Sequence, residues 1–147
     1  VTGDGNGQVF IAGEGGVMYR SGNDGKSWES LQPFYEGSWF GAVYSIDYSA
    51  LLVFGLRGNV FRSTDFGTNW EVVPNDSHMT LAGGTSSARG DIVLAGAVGT
   101  VLVSADGGRS LRRKQLADGL SLSSGIKRGE RLVLIGQGGV KTVQESD

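Results

Sequence analysis

A chain of 147 residues with a formal net charge of −2 and no cysteine is long enough for one ordinary domain with a buried core. The missing cysteines exclude thiol catalysis, disulfide frameworks and cysteine-ligated zinc, and the dispersed lysines and arginines exclude the basic stripe that nucleic acid requires. No apolar run approaches the roughly 20 residues of a membrane-crossing helix, so the chain is not expected to span a membrane.

Twenty-six glycines against two prolines is more than double the usual glycine frequency of roughly 7%. Without a collagen-like period, such a content indicates many tight turns between short strands. In chain order, residues 1–33 give "VFIA", a Gly-x-x-Gly turn, "MYRS", a second glycine turn and a strand opening at Trp28. The aromatic connection "QPFYEGSWF" leads into residues 34–75, which continue through "GAVYSIDYS", "LLVF", "NVFRS" and "NWEVV". Residues 76–117 repeat the order with "MTLAGGTSS", "DIVLA", "TVLVS" and "SLRRKQ", and residues 118–147 reach only as far as "LVLIGQGGVKTVQ". These runs alternate as strands do, and no window carries a capped 3.6-residue period, so almost no helix is expected.

The units are copies of one another. Aligned on their shared Gly-x-x-Gly, they place Ser21, Ser63, Ser104 and Gln144 about 41 residues apart. Four strands at that spacing are the mark of a β-propeller blade. With A as the innermost strand and D as the outermost, the chain reads B-C-D, A-B-C-D, A-B-C-D, A-B-C. The expected fold is therefore all-β, a β-propeller of four-stranded antiparallel blades, with about three and a half blades in a single segment spanning 1–147. An open arc leaves apolar flanks in water. A piece of a larger propeller is the preferred reading. The alternatives are a homodimer in which two copies complete one ring, and a four-bladed ring closed by pairing of the terminal strands.

The turn from strand C to strand D carries a recurring constellation. In "STDFGTNW" it is Ser63, Asp65, Gly67 and Trp70, and in "SGNDGKSW" it is Ser21, Asn23, Gly25 and Trp28. In "SADGGRSL" it is Ser104, Asp106 and Gly108, with Leu111 in the place of the tryptophan. A serine and a carboxylate two residues on can accept backbone N–H groups of a tight turn, glycine supplies a positive φ, and the aromatic ring fills the gap between sheets. A reactive group would not recur three times at blade spacing with one copy replaced, so these are structural residues and no catalytic role is assigned to them.

The constellation resembles the Asp-box, S-x-D-x-G-x-x-W, first recognised in bacterial neuraminidases. The longer pattern in "GEGGVMYRSGNDGKSW" and "GAVGTVLVSADGGRSL" is similar to the repeat of the photosystem II stability/assembly factor-like proteins. That resemblance implies a seven-bladed, non-enzymatic, cofactor-free propeller that assists assembly of a membrane complex from its lumenal side. Relatives of that family outside photosynthetic organisms are thought to be exported and to accompany transport systems. It further implies a protein partner, in the form of a membrane-protein complex, and a periplasmic or secreted location.

The competing class is a sialidase-like or other glycoside hydrolase propeller whose catalytic residues lie largely outside this segment. A sialidase needs an arginine triad, a Tyr/Glu pair and an acidic donor. Arg20 and Arg62 occupy one repeat position on strand C, which suits blade packing, and the inner strands offer only Tyr44, Asp47 and Tyr48. No carboxylate pair for glycoside hydrolysis stands out. His78 is the only histidine, so a multi-histidine metal site is not expected, and "DGNG" at 4–7 lacks the spacing of a calcium loop and is read as a β-turn. Asn75 opens a glycosylation sequon of little weight. The basic run "LRRKQ", 111–115, falls on an outermost strand, where cations discourage edge pairing.

The binding face is sought opposite the Asp-boxes, where the D-to-A connections meet the B-to-C turns. There Phe34, Tyr35 and Trp39, with Phe40 and Glu36 among them, form an unusually aromatic loop, and Arg57 sits in the B-to-C turn beside it. These residues are the candidates for contacting a partner.

Overall fold

The computed structural model describes residues 1–146, which fold into four antiparallel sheets. In spatial order the first sheet is β1 (Thr2–Gly3), β2 (Val9–Ala12), β3 (Met18–Ser21) and β4 (Glu29–Leu31). The second is β5 (Trp39–Ser45), β6 (Ala50–Gly55), β7 (Val60–Ser63) and β8 (Glu71–Val72). β9 (Leu81–Ser86), β10 (Ile92–Gly96), β11 (Thr100–Ser104) and β12 (Arg112–Gln115) make the third, and β13 (Leu122–Arg128), β14 (Arg131–Gly136) and β15 (Gly139–Gln144) the fourth. One strand was not expected: Thr2 and Gly3 pair with Phe10 and Val9, so the first sheet also has an inner strand, two residues long. Helical structure among the described residues is confined to the 3-10 turns Glu14–Gly16, Leu56–Gly58 and Ala97–Gly99, each joining strand B to strand C.

Alternation along each B strand sends side chains to opposite faces, and each face meets a neighbouring sheet. Phe10 and Met18 pack against Leu51 and Val53 between the first and second sheets. Leu52 and Phe54 meet Ile92 and Leu94 between the second and third. Val93 and Ala95 meet Leu132 and Leu134 between the third and fourth. β6 and β10 are covered on both faces and are buried throughout, whereas Val9 and Ile11 of β2 and Val133 and Ile135 of β14 face outward and stay partly or fully exposed. Inner strands approach closely enough for side chains to staple them: Ser86 Oγ donates to Tyr44 O at 2.6 Å and Thr85 Oγ1 to Gly125 O at 2.7 Å. A Cβ on Gly83 would lie 2.1 Å from Ser123 O, which is why "LAGGTS" carries glycine there.

The fourth unit departs from its copies by one residue. In the first three sheets a box serine pairs with the first residue of the apolar run, Val9 with Ser21, Leu51 with Ser63 and Ile92 with Ser104. In the fourth, Leu132 pairs with Val143, because Gly136 pairs directly with Gly139 through a tighter hairpin. A one-residue slip turns every side chain of β15 to the other face relative to β3, β7 and β11. Val143 thereby packs into the core against the third sheet and Lys141 reaches back to Asp118. The alignment of Gln144 with the serines is corrected accordingly: Gln144 pairs with Arg131, outside the core.

Candidate functional site

Each Asp-box turn is built around one hydroxyl. Ser63, only 2% exposed, donates from Oγ to Asp65 Oδ1 at 2.7 Å and accepts the N–H of Gly67 at 2.8 Å and of Asp65 at 3.3 Å. Asp65 in turn accepts the Asn69 N–H at 2.8 Å and the Asn69 side-chain amide at 2.7 Å. The other two turns reproduce the pattern. Ser104 and Asp106 hold Gly108 and Ser110, and Ser21 and Asn23 hold Gly25 and Ser27, with an amide oxygen doing the work of a carboxylate. The Asn69 backbone N–H, ahead of the Asn69 and Ser63 side chains, holds the Asp65 carboxyl at about 2, against an opposing push from partial burial. Gly108 has φ +85, and a Cβ there would meet Leu52 of the preceding sheet at 2.5 Å, so backbone conformation and close approach both demand glycine.

These turns also fasten neighbouring sheets together. Trp70 donates from Nε1 to Gly67 O and lays its ring 5.8 Å from Phe10 of the first sheet, while Leu111, the residue in its place, packs on the core between the second and third. Arg20 donates to Phe66 O at 3.2 Å and to Thr68 Oγ1 at 2.8 Å, and the buried Arg62 donates from Nε to Gly107 O at 2.8 Å. Both guanidinium groups therefore belong to sheet packing. The inner-strand residues considered for hydrolysis are likewise occupied: Tyr44 packs on Phe66, and Tyr48 donates to Ala105 O of the third Asp-box turn. Asp47 is exposed on the hairpin turn between β5 and β6. Among the described residues no group of His, Cys, Asp or Glu is placed to hold a metal ion.

The opposite face carries an open cleft of about 580 Å³ lined by Phe34, Tyr35, Glu36, Gly37, Leu56 and Arg57. The connection before β5 and the 3-10 turn after β6 form its two walls. Phe34 is 41% exposed although its ring centroid lies 4.9 Å from that of Phe61, and Tyr35 is half-buried on Trp39, its hydroxyl accepting the Asn59 side-chain amide at 2.7 Å. Arg57 holds φ +59 at the tip of its turn, is exposed, and forms no ion pair among the described residues. Trp39 is corrected as a surface candidate: at 2% exposure its ring belongs to the core between the first and second sheets, and it supports Phe34 and Tyr35 from beneath. Phe40, the residue beside it, is 48% exposed at the start of the inner strand.

Outside these sites, the Asn75 side chain donates to Gly58 O and accepts the Ser77 N–H, so the sequon is part of a turn. In the basic run, Arg112 pairs with Glu145 and Arg113 with Asp76.

Four antiparallel sheets packed in series, three of them carrying a serine-centred turn clamp, define an Asp-box β-propeller. No family model matches the chain, and no curated protein does. Among solved structures it is similar to YCF48 from Cyanidioschyzon merolae, at 18% identity and a TM-score of 0.69, over 96% of this chain and 50% of that one. It is similar to YCF48 bound to D1 peptide, at 18% identity and a TM-score of 0.67, over 96% of this chain and 47% of that one. An ancestral GH74 enzyme gives 18% identity and a TM-score of 0.75, with 96% of this chain on 21% of the other. At these identities the likeness is one of fold, and the chain spans about half the length of the YCF48 chains.

Proposed function

We propose that this propeller is a non-catalytic scaffold that docks an extended segment of a protein partner in the cleft between Phe34–Gly37 and Arg57. The observation that carries the reading is the juxtaposition there of exposed aromatic surface with the exposed Arg57 guanidinium, which forms no ion pair among the described residues. Aromatic anchors beside an arginine are the side chains on which protein interfaces concentrate their energy. Tyr35 is braced by Trp39 and Asn59, so its ring is held in place before a partner arrives, which lowers the ordering cost of binding. The D1 peptide complex of YCF48 supports a peptide-binding role for a propeller of this build. On the resemblance of the repeat to the assembly factor-like proteins, the proposed partner belongs to a membrane complex or transport system, met outside the cytoplasm.

Titration of the chain against a displayed library of extended peptides tests the reading. Selected peptides should lose at least tenfold in affinity with Phe34→Ala or Arg57→Glu and keep it with Asp106→Asn on the opposite face. Equal affinity across all three variants would refute the cleft. The similarity to GH74 enzymes keeps a hydrolase as the second reading, and sustained turnover of fluorogenic glycosides by the purified chain would replace the scaffold with it.

A further inference from the structure

The run "DGNG" belongs to neither the clamps nor the cleft, and forms the loop that joins β1 to β2. The Asp4 N–H donates to Gln8 O at 3.1 Å, which leaves Gly5, Asn6 and Gly7 as the loop itself. Asp4 Oδ1 accepts the Asn6 N–H at 2.7 Å and the Gln8 N–H at 3.0 Å. The exposed Asn6 side chain and the Gly7 N–H have no hydrogen-bond partner among the described residues. Every other asparagine is restrained. The side-chain amides of Asn23, Asn59, Asn69 and Asn75 donate to Ser27, Leu56, Asp65 and Gly58, and each of these asparagines is followed by a residue bulkier than glycine. Asn6 alone precedes a glycine, so no Cβ hinders the approach of the next amide nitrogen to its side chain.

We infer that Asn6 is a site of spontaneous deamidation that ages the first sheet. The deprotonated Gly7 nitrogen bonds to Asn6 Cγ and closes a succinimide ring, and the side-chain nitrogen leaves as ammonia, taking from water the proton that Gly7 gave up. Water then adds across one of the two carbonyl–nitrogen bonds of the ring. Cleavage at Cγ gives aspartate, and cleavage at the main-chain carbonyl gives isoaspartate, whose backbone runs through Cβ and Cγ. Both products put a new carboxylate beside Asp4, and isoaspartate also lengthens the loop. Length matters here because Gly7 O accepts the Asp24 N–H at 2.9 Å, fixing the hairpin to the first Asp-box turn, and because β1 is held to β2 by the two pairs Thr2 with Phe10 and Gly3 with Val9. The isoaspartate form therefore frees the Asp24 amide and loosens β1, while the second and third boxes keep their hydrogen bonds.

Ageing of the folded chain at mildly alkaline pH, followed by peptide mapping, tests the inference. The mass change of deamidation, and isoaspartate marked by an isoaspartate-specific methyltransferase, should accumulate at position 6. The rate should rise with pH and be on the order of that in the urea-unfolded chain, whereas the other asparagines should lag at least tenfold in the folded state. Asn6→Gln should abolish the label at 6, since glutamine has to close a larger ring. In the aged fraction, separated by its added charge, hydrogen exchange should rise severalfold at the Asp24 amide and hold at Gly67 and Gly108. Survival of Asn6 in the folded chain, conversion of another asparagine at a comparable rate, or isoaspartate at 6 with Asp24 exchange unchanged would each overturn the inference.

Discussion

One hydroxyl per turn carries most of the clamp, so the cost of losing it belongs to buried hydrogen bonds. Ser63→Ala leaves the Gly67 N–H buried without an acceptor and should destabilise the chain by about 1–3 kcal/mol, read from urea denaturation at constant m-value. Asp65 behaves differently because it is more exposed and charged. Its carboxyl titrates at about 2 in the fold, below the ordinary 3.8. The stabilisation is therefore complete above roughly pH 4 and is lost as the pH falls toward 2. Asp106 shifts the same way, partial burial being outweighed by hydrogen bonds from Ser110, Ser104 and the Arg109 backbone. Asn23 shows that an amide fills the position. Asp65→Asn should keep most of the neutral-pH stability and flatten the acid loss, measured as the melting temperature from pH 5 to pH 2. An unchanged acid slope would mean that other carboxyls dominate it. The serine, aspartate and glycine of this clamp are legible from their spacing alone. The carbonyls that receive Arg20 and Arg62 are not, since they lie 46 and 45 residues away in another sheet.

Turns decide register at the scale of single elements, and here identical letters give two outcomes. Gly-x-x-Gly recurs at 13, 55, 96 and 136, yet the first three fold as 3-10 turns and the last as a tighter hairpin. Burial of Val143 and the Lys141–Asp118 pair favour the slipped register, contacts that the repeat spacing does not encode. The 3-10 turns also hold two non-glycine residues in the left-handed region, Arg57 at φ +59 and Val98 at φ +56, where the first turn has Gly15. A β-branched residue is strained there. Val98→Gly should stabilise by up to about 1 kcal/mol once the glycine entropy is set against the relief of strain. A lower melting temperature would show instead that the half-exposed valine earns its place by packing. Arg57 takes the same left-handed conformation on the rim of the cleft.

The strand order of the whole molecule follows from its 41-residue period, glycine content and alternation, and the structure adds only the two-residue strand β1. Which face each aromatic residue takes was less legible. "QPFYEGSWF" reads as one aromatic loop, but Trp39 turns into the core at a bulge between Trp39 and Gly41, while Phe40 beside it and Phe34 in the connection stay exposed. A loop has no period from which such a division can be read. The proposed docking cleft predicts that partners engage the face of Phe34 and Arg57 and not the Asp-box turns. Hydrogen–deuterium exchange of the chain with and without a selected peptide tests it most directly: protection should rise at residues 34–38 and 55–59 and stay unchanged at 21–28, 63–70 and 104–111. Protection confined to the Asp-box turns or to the inner strands β5, β9 and β13 would contradict it.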